Sequence, residues 1–179
     1  LKENGFTREN VLSIFVPNSY EFFWNTTADK FRNKMLKEYH KFWNEERLAK
    51  AKALNLTPVQ VATLASIVHK ETVKKDERPR VAGVYLNRLA KGIKLEADPT
   101  VIYSVKLQSN DFNQVIKRVL NKDLATVSPY NTYMYAGLPP GPIAMPDITA
   151  LDAVLNPEKH NYIYFCASVK RFGYHEFAV

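Results

Sequence analysis

Apolar residues recur at intervals of three and four from about Thr27 to Ala53, where Phe31, Met35, Tyr39, Phe42 and Trp43 mark one stripe. Lys, Arg and Glu fill the opposite face, so the pattern predicts one long amphipathic helix with its aromatic stripe toward a core. "LTPVQ" opens a second helix: Thr57 suits the N-cap, Pro58 the first helical position, and Gln60 completes a capping box. This helix is expected to run to about Val73 and to stop in the charged break "KKDERP". A third follows Pro79, with Val81, Val84, Tyr85 and Leu89 inward and Gly92 as its C-cap. "ADPTVIYSV" predicts a short helix capped by Asp98, "DFNQVIKRVL" another, and "DITALDAVLN" a last one before Pro157.

Two stretches break this helical rhythm. "SIFVPNSYEFFW" reads as an aromatic-rich extended segment interrupted by a Pro-Asn-Ser turn. "SPYNTYMYAGLPPGPIAMP" carries five prolines and two glycines in nineteen residues, which excludes regular helix or a central strand. It predicts a rigid ordered loop presenting Tyr130, Asn131, Thr132 and Tyr133 at one end. The chain closes with alternating "YIYFCA" and "YHEFAV" around "SVKRFG", the pattern of a β-hairpin. The expected fold class is α+β, mostly helical with a small antiparallel β element.

One residue conflicts with its surroundings. With about 100° per residue and Val61 set at zero, Ile67, Leu64 and Val68 fall at about 240°, 300° and 340°. Glu71 falls at about 280°, within that apolar arc, whereas Ser66, His69 and Lys70 fall outside it. Burial would raise the pKa of such a carboxyl, and the negative end of the helix dipole pushes the same way. An acid held protonated near neutral pH is what glycosidic cleavage requires of a general acid. The competing reading pairs Glu71 with Lys74, Lys75 or Arg78 at the helix end. No second carboxylate stands out to complete a glycosidase pair. Asp98 is spent as a cap in this reading, and Asp76 and Glu77 sit in a charged turn. A single acid implies a substrate that supplies its own nucleophile.

Composition narrows the picture only slightly. A chain of 179 residues, 46% hydrophobic and 24% charged, suits one soluble domain with a real core. Ten Tyr, ten Phe and two Trp suit a core and also a sugar-binding groove. The net charge of +7 favours an acidic polymer or a membrane surface. Nucleic acid is not expected as a partner, since no RNP-like, zinc-finger or arginine-rich motif occurs. The lone Cys166 lies in an apolar strand pattern and is expected to be buried and inert. His40, His69, His160 and His175 are scattered without HExxH or Cys/His spacing, so no metal is expected. No GxSxG, Walker or GxGxxG motif occurs, and no other cofactor is implied. No apolar run approaches the roughly 18 residues of a membrane span. The chain opens at Leu1 without an initiator Met, so it is expected to be an excised piece lacking its targeting segment.

"LASIVHKET", "VAGVYLNRL", "DPTVIY", "YNTY" with "GLPPGPIAMP", and the terminal "YIYF…GYHEF" occur in that order. Together with "FVPNSYEF" they resemble the endolytic murein transglycosylases of the YceG-like (MltG) family over nearly the whole chain. The resemblance implies a mostly helical, lysozyme-like catalytic domain over residues 1–179, with 1–56 as lead-in segment and long helix. It implies a lyase that cuts peptidoglycan glycan strands between MurNAc and GlcNAc, leaves a 1,6-anhydro-MurNAc end, and sets strand length during wall synthesis. It implies single-pass anchoring in the bacterial inner membrane with the catalytic domain outside the cytoplasm, and cell-wall synthases as partners. The span and the family's LysM-like module lie outside these residues.

In the family the position of Glu71 is the catalytic acid, and members often carry a second Glu where this chain has His69. Asn131, Thr132 and Tyr133, with Tyr130 before them, resemble the Tyr-Asn element that holds acid and sugar in lytic transglycosylases. The competing roles are a loop cap for Asn131 and a core position for Tyr133. Asn87 and Arg88 share the "NRL" signature. Arg88 would meet a substrate carboxylate or pair with Asp98, and Thr100 and Tyr103 would line the cleft from one side of their helix. Glu96 adds a carboxylate where relatives commonly show Gln-Thr-Asp. A rival function is a non-catalytic peptidoglycan-binding module that organises wall-synthesis enzymes. An older label of the family, aminodeoxychorismate lyase, requires a pyridoxal phosphate lysine that nothing in the chain marks.

Overall fold

The computed structural model describes residues 5–179; the first four residues of the lead-in segment lie outside the described residues. A short 3-10 helix, Val11–Ile14, precedes α1 (Ala28–Phe42) and α2 (Glu45–Ala53). Then come α3 (Pro58–Glu71), α4 (Arg78–Ala90), α5 (Asp98–Ser109), the single turn α6 (Asn121–Leu124) and α7 (Ile148–Leu155). The antiparallel strands β1 (Tyr164–Ala167) and β2 (His175–Ala178) end the chain, in register Phe165 opposite Phe177 and Cys166 opposite Glu176. The α+β class expected from the pattern is the class observed.

Helix α3 is the axle of the fold. Its capping box forms as predicted, with Thr57 Oγ1 accepting from Gln60 N–H and the Gln60 side chain accepting from Thr57 N–H. Every residue from Val61 to Val68 is buried, because α7, α4, α5 and the 3-10 helix pack around it. The apolar arc therefore understates the burial: Ser66 is also enclosed, and its hydroxyl donates to Thr63 O and accepts from Ile143 N–H. Val81, Ala82 and Tyr85 of α4 and Leu151 and Val154 of α7 join it in the core. Gly83 permits the close approach of the segment before the hairpin, since a β-carbon there would lie 2.6 Å from Glu158 O.

Four local expectations are corrected. The predicted long helix is two helices, because Asn44 interrupts it and its side chain caps α2 by accepting from Arg47 N–H. The stripe still works, with Met35, Tyr39 and Trp43 buried. The segment "DFNQVIKRVL" is not helical: Asn110 turns left-handed at φ 52°, and Val115 is 79% exposed with no core to join. Asp98 is the first residue of α5 and makes no capping hydrogen bond there; Ala97 holds the cap position. Cys166 is exposed, on the outward side of β1, while its neighbour Phe165 packs inward against Tyr85 and Phe177.

Candidate active site

Helix α3 ends at Glu71 because Thr72 leaves helical geometry for an extended conformation. The Thr72 hydroxyl donates to the buried Glu77 carboxylate, which also accepts from the His175 N–H and contacts His175 Nδ1, both at 2.7 Å. This latch ties β2 to the turn that follows Glu71, so the hairpin is fixed beside the helix end. Arg78, one of the cations considered for Glu71, is buried and spans both oxygens of Asp147 at 2.6 and 2.8 Å. Lys74 Nζ lies over the Tyr174 ring, 4.9 Å from its centroid. Among the described residues no lysine, arginine or histidine forms an ion pair with Glu71.

Glu71 opens instead onto a cleft of about 280 Å³. Tyr85 and Arg88 of α4, Glu96 just ahead of α5, Asp98 at its first position, and Tyr133 of the proline-rich loop line it. Leu95 and the hairpin residues Ile163, Tyr164 and Phe165 complete the wall. Arg88 is the hub that assembles these pieces. Its guanidinium donates to Ile163 O, Lys94 O and Leu95 O at 2.7–2.8 Å and to Glu96 Oε2 at 3.2 Å, and it sits over the Tyr164 ring. With those donors engaged, Arg88 shapes the cleft and holds Glu96, not Asp98. Glu96 adopts φ 50°, a left-handed conformation costly for a non-glycine residue, and that places its carboxylate on Arg88.

Six of the residues singled out in sequence do not reach this cleft. Asn131 is fully buried, its amide donating to Leu124 O and Thr126 O and its Oδ1 accepting from Tyr133 N–H. Thr132 is buried too, with its hydroxyl accepting from Ala97 N–H and meeting the buried Thr100 hydroxyl at 2.8 Å. Tyr130 donates to Glu9 O and packs at a tilt against Tyr103, which faces a separate groove with Lys70 and Phe112. Asn87 donates to His160 O and Tyr162 O, anchoring the segment that enters the hairpin. These side chains build the frame, and Tyr133 is the one member of "YNTY" that projects into the cleft. Its hydroxyl donates to Asp98 Oδ1 at 2.7 Å.

The cleft thus brings together three carboxyl groups, Glu71 with Glu96 and Asp98, the latter two singled out in the sequence as candidate substrate-binding residues. Glu96 is neutralised by Arg88, and Asp98 accepts from a phenol. Glu71 is pushed up from 4.5 to about 7, first by burial and then by the Asp98 charge, with the Tyr85 hydroxyl acting in the opposite direction. Burial, with the neighbouring carboxylates, raises Tyr85 and Tyr133 above the ordinary phenol range, so both remain hydroxyl donors at neutral pH. A neutral carboxyl at the end of a buried helix can give up a proton to a bound oxygen and then recover one. Sequence reasoning missed Tyr164, Phe165 and Tyr85 as cleft residues. The alternation of the last strand could have marked Phe165, but the meeting of hairpin and α4 is a long-range contact without a local signal.

Comparison with known proteins identifies the family of the chain. The sequence model of the YceG-like family matches residues 2–179. The endolytic murein transglycosylase of Bacillus subtilis (strain 168) is 42% identical over 108 residues, covering 60% of this chain and 28% of that protein. The endolytic murein transglycosylase of Streptococcus pneumoniae (D39) is 28% identical over 169 residues, covering 94% of this chain and 30% of that protein. A crystal structure described as that of a yceG-like protein from Listeria monocytogenes superposes with a TM-score of 0.77 at 32% identity, covering 93% of this chain and 52% of that one. The chain therefore spans less than a third of the length of these curated relatives and about half of that solved structure. On a family match over nearly its whole length, the chain belongs to the YceG-like family.

Proposed function

We propose that this chain is the catalytic unit of an endolytic peptidoglycan lytic transglycosylase, with residues 1–179 working as one domain. The observation that carries the reading is Glu71, an acid without a cationic partner among the described residues, half-enclosed in a cleft and pushed up to about 7. The names of the relatives add the substrate class, murein. Protonated Glu71 donates to the glycosidic oxygen as the bond from that oxygen to C1 of MurNAc breaks. The N-acetyl group stabilises the cation that develops. The resulting Glu71 carboxylate then accepts the proton of the C6 hydroxyl as O6 bonds to C1. The proton returns to Glu71, no water is consumed, and the new end is 1,6-anhydro-MurNAc. One residue is acid and then base.

Action on murein places the domain outside the cytoplasm. Anchoring in the inner membrane by a segment beyond these residues, and partnership with cell-wall synthases, belong to the same proposal. None of the described helices is long and apolar enough to cross a membrane. The test is product identity. Purified, unmodified glycan strands incubated with the protein are expected to yield internal fragments with anhydro ends, lighter by one water than hydrolytic fragments in mass spectrometry. Reducing ends in their place would make the protein a hydrolase. Retention of strands without turnover would make it the peptidoglycan-binding module.

A further inference from the structure

The cleft holds one carboxylate that the mechanism above does not use. Asp98 lines the same space as Glu71 and points its Oδ1 at the Tyr133 hydroxyl, 2.7 Å away. It makes no ion pair among the described residues, whereas Glu96, two positions earlier, is bound to Arg88. Asp98 is therefore the unneutralised negative charge of the site. It is also held firmly. As the first residue of α5 it sits at the positive end of that helix dipole. The loop that delivers Tyr133 is locked to the same helix start by Thr132, through Ala97 N–H and the Thr100 hydroxyl.

We propose that Asp98 is a second catalytic carboxylate of this cleft, fixed by Tyr133 and facing the positive charge that grows on the sugar as the glycosidic bond breaks. A preorganised anion aimed at a developing cation lowers the barrier more once a bound sugar has displaced water from around it than it does in solvent. Asp98 does not become a nucleophile here, because O6 of the substrate fills that role; its contribution is electrostatic. The same charge acts on Glu71 before substrate arrives, opposing its ionisation and keeping the proton on the acid. The other groups facing Glu71 differ in effect. Tyr85 and Tyr133 are neutral donors, Tyr164 is a phenol on the rim, and the Arg88 charge is offset by Glu96. Asp98 is thus the charged neighbour that can be removed without dismantling the frame, since its side chain is exposed and its partner is one hydroxyl.

This assignment rests on the transglycosylase reading for its chemistry, so its test has an arm that does not need turnover. Wild type, Asp98→Asn and Asp98→Glu are compared on purified glycan strands across pH 5–9. The ionisation of Glu71 is followed in the free proteins by carbon-13 NMR of glutamate side-chain carboxyls. Asp98→Asn is expected to lower kcat at least about tenfold with KM within about threefold, and to move the alkaline limb and the Glu71 midpoint down by about one pH unit. Asp98→Glu, which keeps the charge, is expected to recover most of both. An Asn variant with unchanged kcat and an unmoved Glu71 midpoint would overturn the proposal, as would a loss confined to KM. If wild type itself releases no anhydro ends, the transglycosylase reading fails on that arm. The NMR arm then still decides whether Asp98 governs the Glu71 proton.

Discussion

Glu71→Gln is expected to lower kcat for strand cleavage by about 10³-fold or more, since in the proposed mechanism a single side chain serves as both acid and base. Glutamine keeps the shape and the hydrogen-bonding capacity of the neutral carboxyl, so the fold and strand binding should persist and the loss should fall on kcat. The same variant is expected to be more stable than wild type at alkaline pH. The folded protein holds the Glu71 proton up to about pH 7, while an exposed glutamate in the unfolded chain releases it near 4.5. Between those values the native state binds more protons than the unfolded state, so stability falls as pH rises through the window. At about 1.4 kcal/mol per pH unit, the full cost of ionising Glu71 is on the order of 3 kcal/mol above pH 7. Glutamine avoids it. Thermal melts should place Glu71→Gln several degrees above wild type at pH 8, with the gap closing by pH 4.5. A gap that does not vary with pH would mean that Glu71 ionises normally. On the proposed mechanism, the acid is a source of instability that the fold tolerates for its chemistry.

The second large effect is expected at Arg88, and it is structural. Truncation to Ala strands three backbone carbonyls that now accept from the guanidinium, and it leaves Glu96 in a strained backbone conformation without its cation. Leaving these carbonyls without a donor costs about 1–3 kcal/mol apiece before relaxation, for a loss on the order of 3–5 kcal/mol. The Glu96 pair, 45% exposed on the carboxylate side, adds little to this. Lysine would not rescue it, since one ammonium cannot reproduce a fork that reaches Ile163 on one side and Lys94 and Leu95 on the other. Arg80→Ala is the matched control. Its pair with Glu158 is about 40% exposed on both sides and should be worth less than about 1 kcal/mol. Urea unfolding of the two variants reads the difference directly. Equal losses would remove Arg88 from its place as the organiser of the cleft.

Much of the frame was legible where local chemistry decides. The Thr57-Pro58-Gln60 start, the inward angle of Glu71 and the closing hairpin follow from caps and periods that act within a few residues. The failures have physical causes. Asn44 followed by two glutamates is itself an N-cap signal, and it was overridden by the longer aromatic stripe on either side. "DFNQVIKRVL" has helical spacing but only ten residues and no neighbour to bury against, and isolated helices of that length are marginal in water. Cys166 followed the period of its strand outward because a two-stranded sheet covers one face only. The roles of Asn131, Thr132 and Asn87 turned on partners distant in sequence. In "YNTY" the fold spends the middle two residues on anchoring and presents the last. The pairing of Asp98 with Tyr133, and the freedom of Glu71 from Arg78, depend on contacts that no local pattern encodes.

The account depends on the Glu71 proton, and the free protein can be asked for it directly. Carbon-13 NMR titration of the glutamate side-chain carboxyls, with the Glu71→Gln variant identifying the resonance, is predicted to place the Glu71 midpoint near pH 7. A midpoint near 4.5, where exposed glutamates ionise, would contradict it.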